Sequence, residues 1–504
     1  MSCTERGGAG MQSDEAVAPA AFDFACEFCN QAFGSRNALF RHLRQQHEGA
    51  EVAKVALPPS KQWEAERQAA PELHAKTAAT VKKPTVTDES KEDRQLHLST
   101  RPASYQKELS EKVGKMQSLM EGFSNNPLPK TEVFESPREH FRMRVEFDIS
   151  HDDDGPKYVM HSGRERVVVQ QYPMGSRQIC DVLMPTVLKA LNEELILRQQ
   201  LFQVNFHGTL YGDAMVSLLY RTPYCRAERR QRMLAQGEAK QALGKEVEDG
   251  KLTDAWEEAA MRLSEALSGA SVVGRVRGKK RVVGREWVEE HLQVAGSSAP
   301  LRYRQLEGFF SQSNPVVCQH MLAWARAVAS DDDVAVGEIG PTRDDDLLEL
   351  YCGNGNFCIA LAPFFRRAFA TELVRELLDL AQKNAEDNGV TNISFGRVSA
   401  EELALALSGS RTFNRLEHVD FTTFDFQTVL VDPPRAGLGP QIAAFIAQFT
   451  RIIYISCNPE TVRDDLKVLS ETHDIRRLAA FDQFAYTDHL EMGVLLVRRG
   501  ASHD

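Results

Sequence analysis

The sequence predicts an α/β protein whose C-terminal part, from Leu301 onward, is a doubly wound, Rossmann-like sheet. Three observations carry this reading. Strand-like runs recur at residues 347–351, 367–371, 393–397, 428–431, 451–456, 477–481 and 493–498, and helical stretches separate the first five. The first run leads into the glycine turn Tyr351-Cys352-Gly353-Asn354-Gly355-Asn356, and the second ends at Glu372. Two of these runs hold the apolar stretches Val429 to Val431 and Ile452 to Ile455, which read as buried parallel strands, and each is closed by a polar motif, Asp432-Pro433-Pro434-Arg435 and Ser456-Cys457-Asn458-Pro459.

A chain of 504 residues has room for about three domains. No apolar run approaches the ~18 residues that span a bilayer, and the first twenty residues lack an apolar core or an Arg-rich amphipathic pattern. The nine scattered cysteines do not form a secreted disulfide framework. An intracellular protein, cytoplasmic or nuclear, with no membrane partner is the expectation. A net charge of -11 argues against a uniformly basic nucleic-acid binder and leaves only local basic faces for that role.

Residues 1–21 are rich in Gly, Ala and Ser, and disorder is expected there. Within 22–50 the pattern Phe24-x-Cys26-x2-Cys29-x3-Phe33-x5-Leu39-x2-His42-x4-His47 has the spacing of a ββα zinc finger. Cys26, Cys29, His42 and His47 would complete a Zn2+ tetrahedron, and Phe33 with Leu39 would fill a core too small to fold without metal. Sequence-specific DNA reading commonly uses several fingers, and this is a single one, so its partner, nucleic acid or protein, stays open. Residues 51–100, rich in Ala, Lys, Glu, Pro and Thr, read as a flexible linker.

Residues 101–300 read as an α+β domain with an antiparallel sheet. Helices are expected at 105–123 and 179–194, and strands at 142–147, 167–169, 202–204, 214–220 and 272–276. The charged segment 226–250 reads as a surface insertion. Residues 275–285, with Arg277, Lys279, Lys280 and Arg281, read as a basic hairpin that either follows a phosphate backbone or is a solvated turn.

In open α/β sheets chemistry stands at the carboxyl ends of the strands, and both polar motifs stand there. Glu372 has the spacing of a carboxylate that accepts from ribose hydroxyls. Cys358 occupies the place of the third glycine of a dinucleotide fingerprint, so a nicotinamide cofactor loses part of its seat, whereas a methyl donor without phosphates does not. Cys457 precedes an N-cap and a first-turn proline, where a helix N-terminus would favour its thiolate. It reads as a nucleophile.

Taken in order, the glycine turn, Asp432-Pro433-Pro434-Arg435, Ser456-Cys457-Asn458-Pro459-Glu460-Thr461 and His489-Leu490-Glu491 resemble the RNA 5-methyluridine methyltransferases. The strand around Arg142 to Phe147, Leu201-Phe202-Gln203 and Phe481-Asp482-Gln483-Phe484 resemble their tRNA (uracil-5-)-methyltransferase branch, so the likeness runs from about Pro102 to Arg498. The resemblance implies that residues 101–300 bind RNA and that 301–504 form an S-adenosylmethionine-dependent methyltransferase domain. It implies that Gln312, Tyr351, Asn356, Glu372 and Asp432 bind S-adenosylmethionine, that Cys457 is the nucleophile, and that Glu491 is the general base. His489 would be a neighbour of the site. The branch acting on ribosomal RNA usually carries a four-cysteine iron-sulfur site, and no such cluster occurs here, which favours tRNA; the resemblance itself implies the T-loop uridine as the target. In cytosine-C5 enzymes the nucleophile usually follows a proline, whereas Ser456 precedes Cys457. Amino-methyltransferases place an aromatic after Asp-Pro-Pro, where this chain has Arg435. The competing functions are an interaction protein with a decayed methyltransferase scaffold, methylation of a uridine in another RNA, and a nicotinamide-dependent dehydrogenase.

Overall fold

The computed structural model describes Phe24–Ala25, Ala32–Phe33 and residues 100–500 except 124–126, 153, 163–164, 222–251, 331–333 and 339–341. The chain divides into two compact units, Met1–Asp88 and Glu89–Asp504. In the first, β1 (Phe24–Ala25) pairs antiparallel with β2 (Ala32–Phe33), Phe24 opposite Phe33. Cys26, Cys29, His42 and His47 lie outside the described residues, as do most of the linker and the 226–250 insertion.

The second unit opens with α1 (Tyr105–Met120), which buries Leu109, Lys112, Val113, Met116 and Met120 along one face. Apolar residues three and four apart create that stripe, and a lysine within it requires a partner, described below. β3 (Glu132–Phe134) follows.

A seven-stranded sheet is then built from β4 (Arg144–Asp152), β5 (Gly155–Ser162), β6 (Glu165–Val168), β7 (Leu201–Gly208), β8 (Ala214–Tyr220), β9 (Ser271–Val276) and β10 (Lys279–Val283), in the order β10-β9-β8-β7-β4-β5-β6. Val145, Phe147 and Ile149 alternate into its core, the two-residue period of a half-buried strand. α2 (Met184–Glu193), entered through a π-helical stretch Gln178–Leu183, covers that face with Met184, Val187 and Leu191. The fully antiparallel sheet expected from sequence is corrected at one place: β8 and β9 run parallel. The reason is α4 (Asp254–Ala266), with α3 (Leu195–Arg198) preceding β7; a helix between β8 and β9 returns the chain to the same end of the sheet.

The basic hairpin is β9–β10, and most of its charge is neutralised within the protein. Arg275 pairs with the buried carboxylate of Glu307, Lys280 with Glu286 at 2.5 Å, and Arg281 with Asp254 at 2.6 Å and with Glu257. The solvated-turn reading fits these cations better than the phosphate-binding one.

A two-stranded hairpin, β11 (Trp287–Leu292) and β12 (Leu301–Leu306), leads to the long buried helix α5 (Pro315–Ser330). The eight-stranded sheet comprises β13 (Asp346–Leu350), β14 (Arg367–Thr371), β15 (Ile393–Gly396), β16 (Phe426–Val431), β17 (Arg451–Ser456), β18 (His473–Phe481) and β19 (Glu491–Arg498), with β3 at one edge. Its order is β15-β14-β13-β16-β17-β19-β18-β3. The first five are parallel, β19 is antiparallel to both neighbours, and β3 lies parallel to β18. Leu348, Leu350, Val429, Val431, Ile452 and Tyr454 face α8 (Ala400–Leu407), α9 (Gly439–Ile446) and α10 (Pro459–Leu469). The alternate residues Leu347, Leu430, Ile453 and Ile455 face α5 and α6 (Asn356–Leu361), with α7 (Arg375–Asp387) beside them. Among the described residues no helix is long and apolar enough to cross a membrane.

Candidate active site

The chain winds outward from β13 in both directions, so the carboxyl ends of β13, β14, β16 and β17 open on one crevice at the point where strand order reverses. Tyr351 leaves β13 with φ 63°, a left-handed conformation uncommon outside glycine. Gly353 (φ 56°) and Gly355 (φ 85°) continue the turn, and a Cβ at Gly353 would meet nothing within 4 Å, so the backbone there is open to a ligand. Gly355 caps α6, where Asn356 is held by Cys318 through contacts of 3.7 Å.

Glu372, just past β14, folds back over this turn. One carboxylate oxygen accepts from the Gly353 amide at 3.2 Å, and the other from the Leu373 and Val374 amides at 2.7 and 2.8 Å. Gln312, between β12 and α5, is joined by its side-chain amide to that of Gln483 at 2.8 Å. The segment is tied to the first sheet as well, because the Met143 amide donates to Ser313 O at 2.8 Å.

On the other side of the crevice, Asp432 stands one residue past β16 and Cys457 one residue past β17. The loop after Asp432 is fixed by Asp465 of α10, which accepts from the Leu438 and Gly439 amides at 3.0 and 3.1 Å and from Tyr454 Oη at 2.6 Å. Gly437 (φ 78°) permits that approach, since a Cβ would come within 2.8 Å of Thr461 Cβ. The expected cap on α10 is present: Asn458 Oδ1 accepts from the Glu460 amide at 3.2 Å, and Pro459 opens the helix.

Glu491 reaches the crevice from the opposite chain direction. Ser456 is opposite Met492 in the antiparallel ladder, so the next step of the register brings Cys457 towards Glu491. The Glu491 carboxyl is buried, and its Oε2 has no hydrogen-bond partner among the described residues. Burial, reinforced by the Asp432 carboxylate, raises it well above the ordinary glutamate value; burial raises Asp432 too.

One expectation is corrected here. Burial, then the charges of Glu491 and Asp432, push the Cys457 thiol up to about 11, with Arg435 opposing them. Desolvation beside two carboxyls outweighs the helix N-terminus, so Cys457 is held as a thiol rather than a thiolate.

The sequence-predicted residues therefore fall into two groups on one crevice, Tyr351, Asn356 and Glu372 around the glycine turn and Asp432, Cys457 and Glu491 at the neighbouring strand ends, while Gln312 stands before α5 against Gln483. His489 lies at the edge of the second, its Nδ1 accepting from Arg435 Nη2 at 3.1 Å, and burial lowers its affinity for a proton. Lys112 was not singled out from sequence. Its only signal was a lysine on the apolar face of α1. Among the described residues no group of three or more His, Cys, Asp or Glu side chains is arranged to hold a metal ion.

A tRNA (Uracil-5-)-methyltransferase family profile matches residues 104–247 and 245–499. The chain belongs to this family. A tRNA/tmRNA (uracil-C(5))-methyltransferase of Stutzerimonas stutzeri is 43% identical over 401 residues, covering 79% of this chain and 98% of the relative. That of Azotobacter vinelandii is 43% identical over the same coverage. The crystal structure of Pyrococcus abyssi tRNA (uracil-54, C5)-methyltransferase in complex with S-adenosyl-L-homocysteine aligns with a TM-score of 0.55 at 21% identity. That alignment covers 78% of this chain and 83% of the other, which supports the shared fold. The family profile begins at residue 104, beyond the zinc-finger pattern.

Proposed function

We infer that the protein transfers a methyl group from S-adenosylmethionine to C5 of a uridine in tRNA. Family membership carries the reaction class. The observation that carries the chemistry is the meeting of Cys457 and Glu491 across the β17–β19 ladder beside Asp432. The open turn at Gly353 and the carboxylate of Glu372 folded over it suit a ribose-bearing donor, which Gln312, Tyr351, Asn356, Glu372 and Asp432 would hold.

Uracil C5 is a poor nucleophile until a group adds at C6. Cys457 Sγ forms that bond as its proton passes to bulk water, and the electrons of the C5–C6 double bond pass into an enolate. When bound, S-adenosylmethionine supplies an electrophilic sulfonium methyl for C5. Glu491 then accepts the C5 proton, the Sγ–C6 bond breaks, and the double bond re-forms. A carboxyl raised by burial is a stronger proton acceptor than a solvated one, which suits Glu491 to this step. Burial first, and then the charges of Glu491 and Asp432, keep the Cys457 thiol protonated, and the Arg435 guanidinium opposes that rise and favours the thiolate that adds.

The T-loop uridine, to which the sequence resemblance points, is the proposed target. Nucleoside mass mapping of unmodified tRNA after incubation with enzyme and donor tests this. Methyl on a T-loop uracil is the expected result; methyl on another base refutes the reaction, and on a uracil elsewhere refutes the target.

For the N-terminal segment we propose a Cys26, Cys29, His42 and His47 zinc site whose partner is a nucleic acid or a protein. The ligand spacing supports it, together with the short β1–β2 pairing on either side of Cys26 and Cys29. Metal analysis of the purified protein should find one zinc per chain, lost in Cys26→Ser, with methyl transfer retained. A zinc-free wild-type protein excludes the site.

A further inference from the structure

Glu491 has an unpartnered, buried Oε2, so hydrogen bonding to that atom does not fix where the carboxyl points. Its position is inherited from the backbone that delivers it, the connection between Phe481 at the end of β18 and Glu491 at the start of β19. A single buried cation gathers that connection. Lys112 of α1, 7% exposed, forms an ion pair with Asp482 and donates to Phe484 O and His489 O, both at 3.3 Å. Its acceptors stand at the beginning, middle and end of the connection. The last is two residues before Glu491, on the residue whose ring meets Arg435.

The rest of the connection is shaped around this point. Tyr486 is held in the left-handed region at φ 63°, and its hydroxyl donates to Arg138 O at 2.8 Å. Its ring stands edge-on to Tyr105, which lies on the same buried face of α1 as Lys112, about two helical turns before it. Gln483, next to Asp482, reaches Gln312. A buried lysine is costly and contributes little net stability compared with an apolar pair of the same volume. Its three contacts with one connection instead specify a shape.

We propose that Lys112 is a positioning residue for Glu491: its ammonium holds the β18–β19 connection in the form that aims the carboxyl at the C5 proton. This rests on the reading of Glu491 as general base. Addition of Cys457 and methyl transfer precede the step in which Glu491 acts, so loosening the connection should slow release of the product rather than its formation.

The test compares Glu491→Gln with Lys112→Met and with the double variant Lys112→Met/Asp482→Leu, which removes both charges and avoids a stranded buried carboxylate. Each is assayed at saturating tRNA and donor, with denaturing gels for a covalent RNA-protein band. The double variant should melt near the wild type, keep its KM for tRNA, and lose roughly 10- to 100-fold in kcat, the scale of a misplacement near 1 Å. It should also accumulate the methylated adduct seen in Glu491→Gln. A merely structural ion pair would not produce that band. An adduct in Glu491→Gln with none in a folded double variant of wild-type kcat overturns the role of Lys112 alone. Normal turnover without adduct in Glu491→Gln overturns both readings. Should the double variant not fold, the shape-conserving Asp482→Asn takes its place with the same two outcomes.

Discussion

The two halves of the crevice are built on opposite principles. Around the glycine turn the key acceptor is satisfied in advance: Glu372 takes three backbone amides and is locked over the place a ligand would occupy. At the ends of β16, β17 and β19 the groups are buried and poorly satisfied. Burial raises Glu491 and Asp432, the Asp432 carboxylate adds to the rise in Glu491, and burial followed by both charges raises the Cys457 thiol. A binding half gains from preorganisation, because a fixed acceptor adds affinity without ordering cost. A reacting half needs groups whose protonation is free to change, and groups already satisfied by the protein would resist that change.

The strongest way to break this contrast is at the nucleophile. Cys457→Ala removes the sulfur proposed to add to C6, so methyl transfer should fall by roughly 10⁴-fold or more, with no covalent RNA band, while the donor half still binds. Thermal stabilisation by S-adenosylhomocysteine equal to that of the wild type checks the second part. Loss of that stabilisation would mean that the halves are not independent.

Glu491→Gln should slow turnover by roughly 10²- to 10⁴-fold and leave methylated RNA attached through Cys457. The band should require donor for full yield and vanish when combined with Cys457→Ala. Normal turnover without an adduct would shift the base to Asp432 or His489.

In the satisfied half, Glu372→Gln should weaken donor binding by about 10- to 100-fold, the value of a charge-assisted hydrogen bond, with kcat at saturating donor little changed. Isothermal titration with S-adenosylhomocysteine measures the first and a donor titration of the rate the second. An equal fall in kcat would place Glu372 in the reacting half.

The smallest effect concerns pH. The folded Glu491 carboxyl is raised above its unfolded value, so its contribution to stability is complete below about pH 4.3 and is lost as pH rises through the folded value. Glu491→Gln removes that loss. It should match the wild type near pH 4 and melt about 2–4 °C higher near pH 8. Parallel melting curves across that range would show that the group is not buried and strained as described.

The doubly wound sheet was legible because its strands are short, continuous apolar runs, each ending in a glycine, acid or proline motif. The run 451–456 was read with both ends correct, and the glycine turn and the two catalytic motifs stood where a parallel strand must deliver them. Other features were hidden. β11 and β12 carry mixed polar sequences, and β3 is three residues long and pairs with a strand far away in sequence. The thiolate expectation for Cys457 failed because sequence shows the helix N-terminus but not the depth of burial or the two carboxyls that arrive from β16 and β19. Lys112 went unremarked because its partners lie more than three hundred and fifty residues away along the chain.

By itself the sequence determined what is local: the chemical identity of the thiol and carboxylates at the strand ends, the glycine turn after β13, the order of strands and helices, and the family to which these motifs belong. Tertiary structure alone decided what is relational. It set the direction of β19, which brings Glu491 to the same edge as Cys457 although its strand runs the other way. It also set the protonation of the pair and the cation that gathers their connecting loop. Local geometry follows from propensity and steric limits of neighbouring residues, whereas a pKa or an aim follows from burial and distance between groups that only folding brings together.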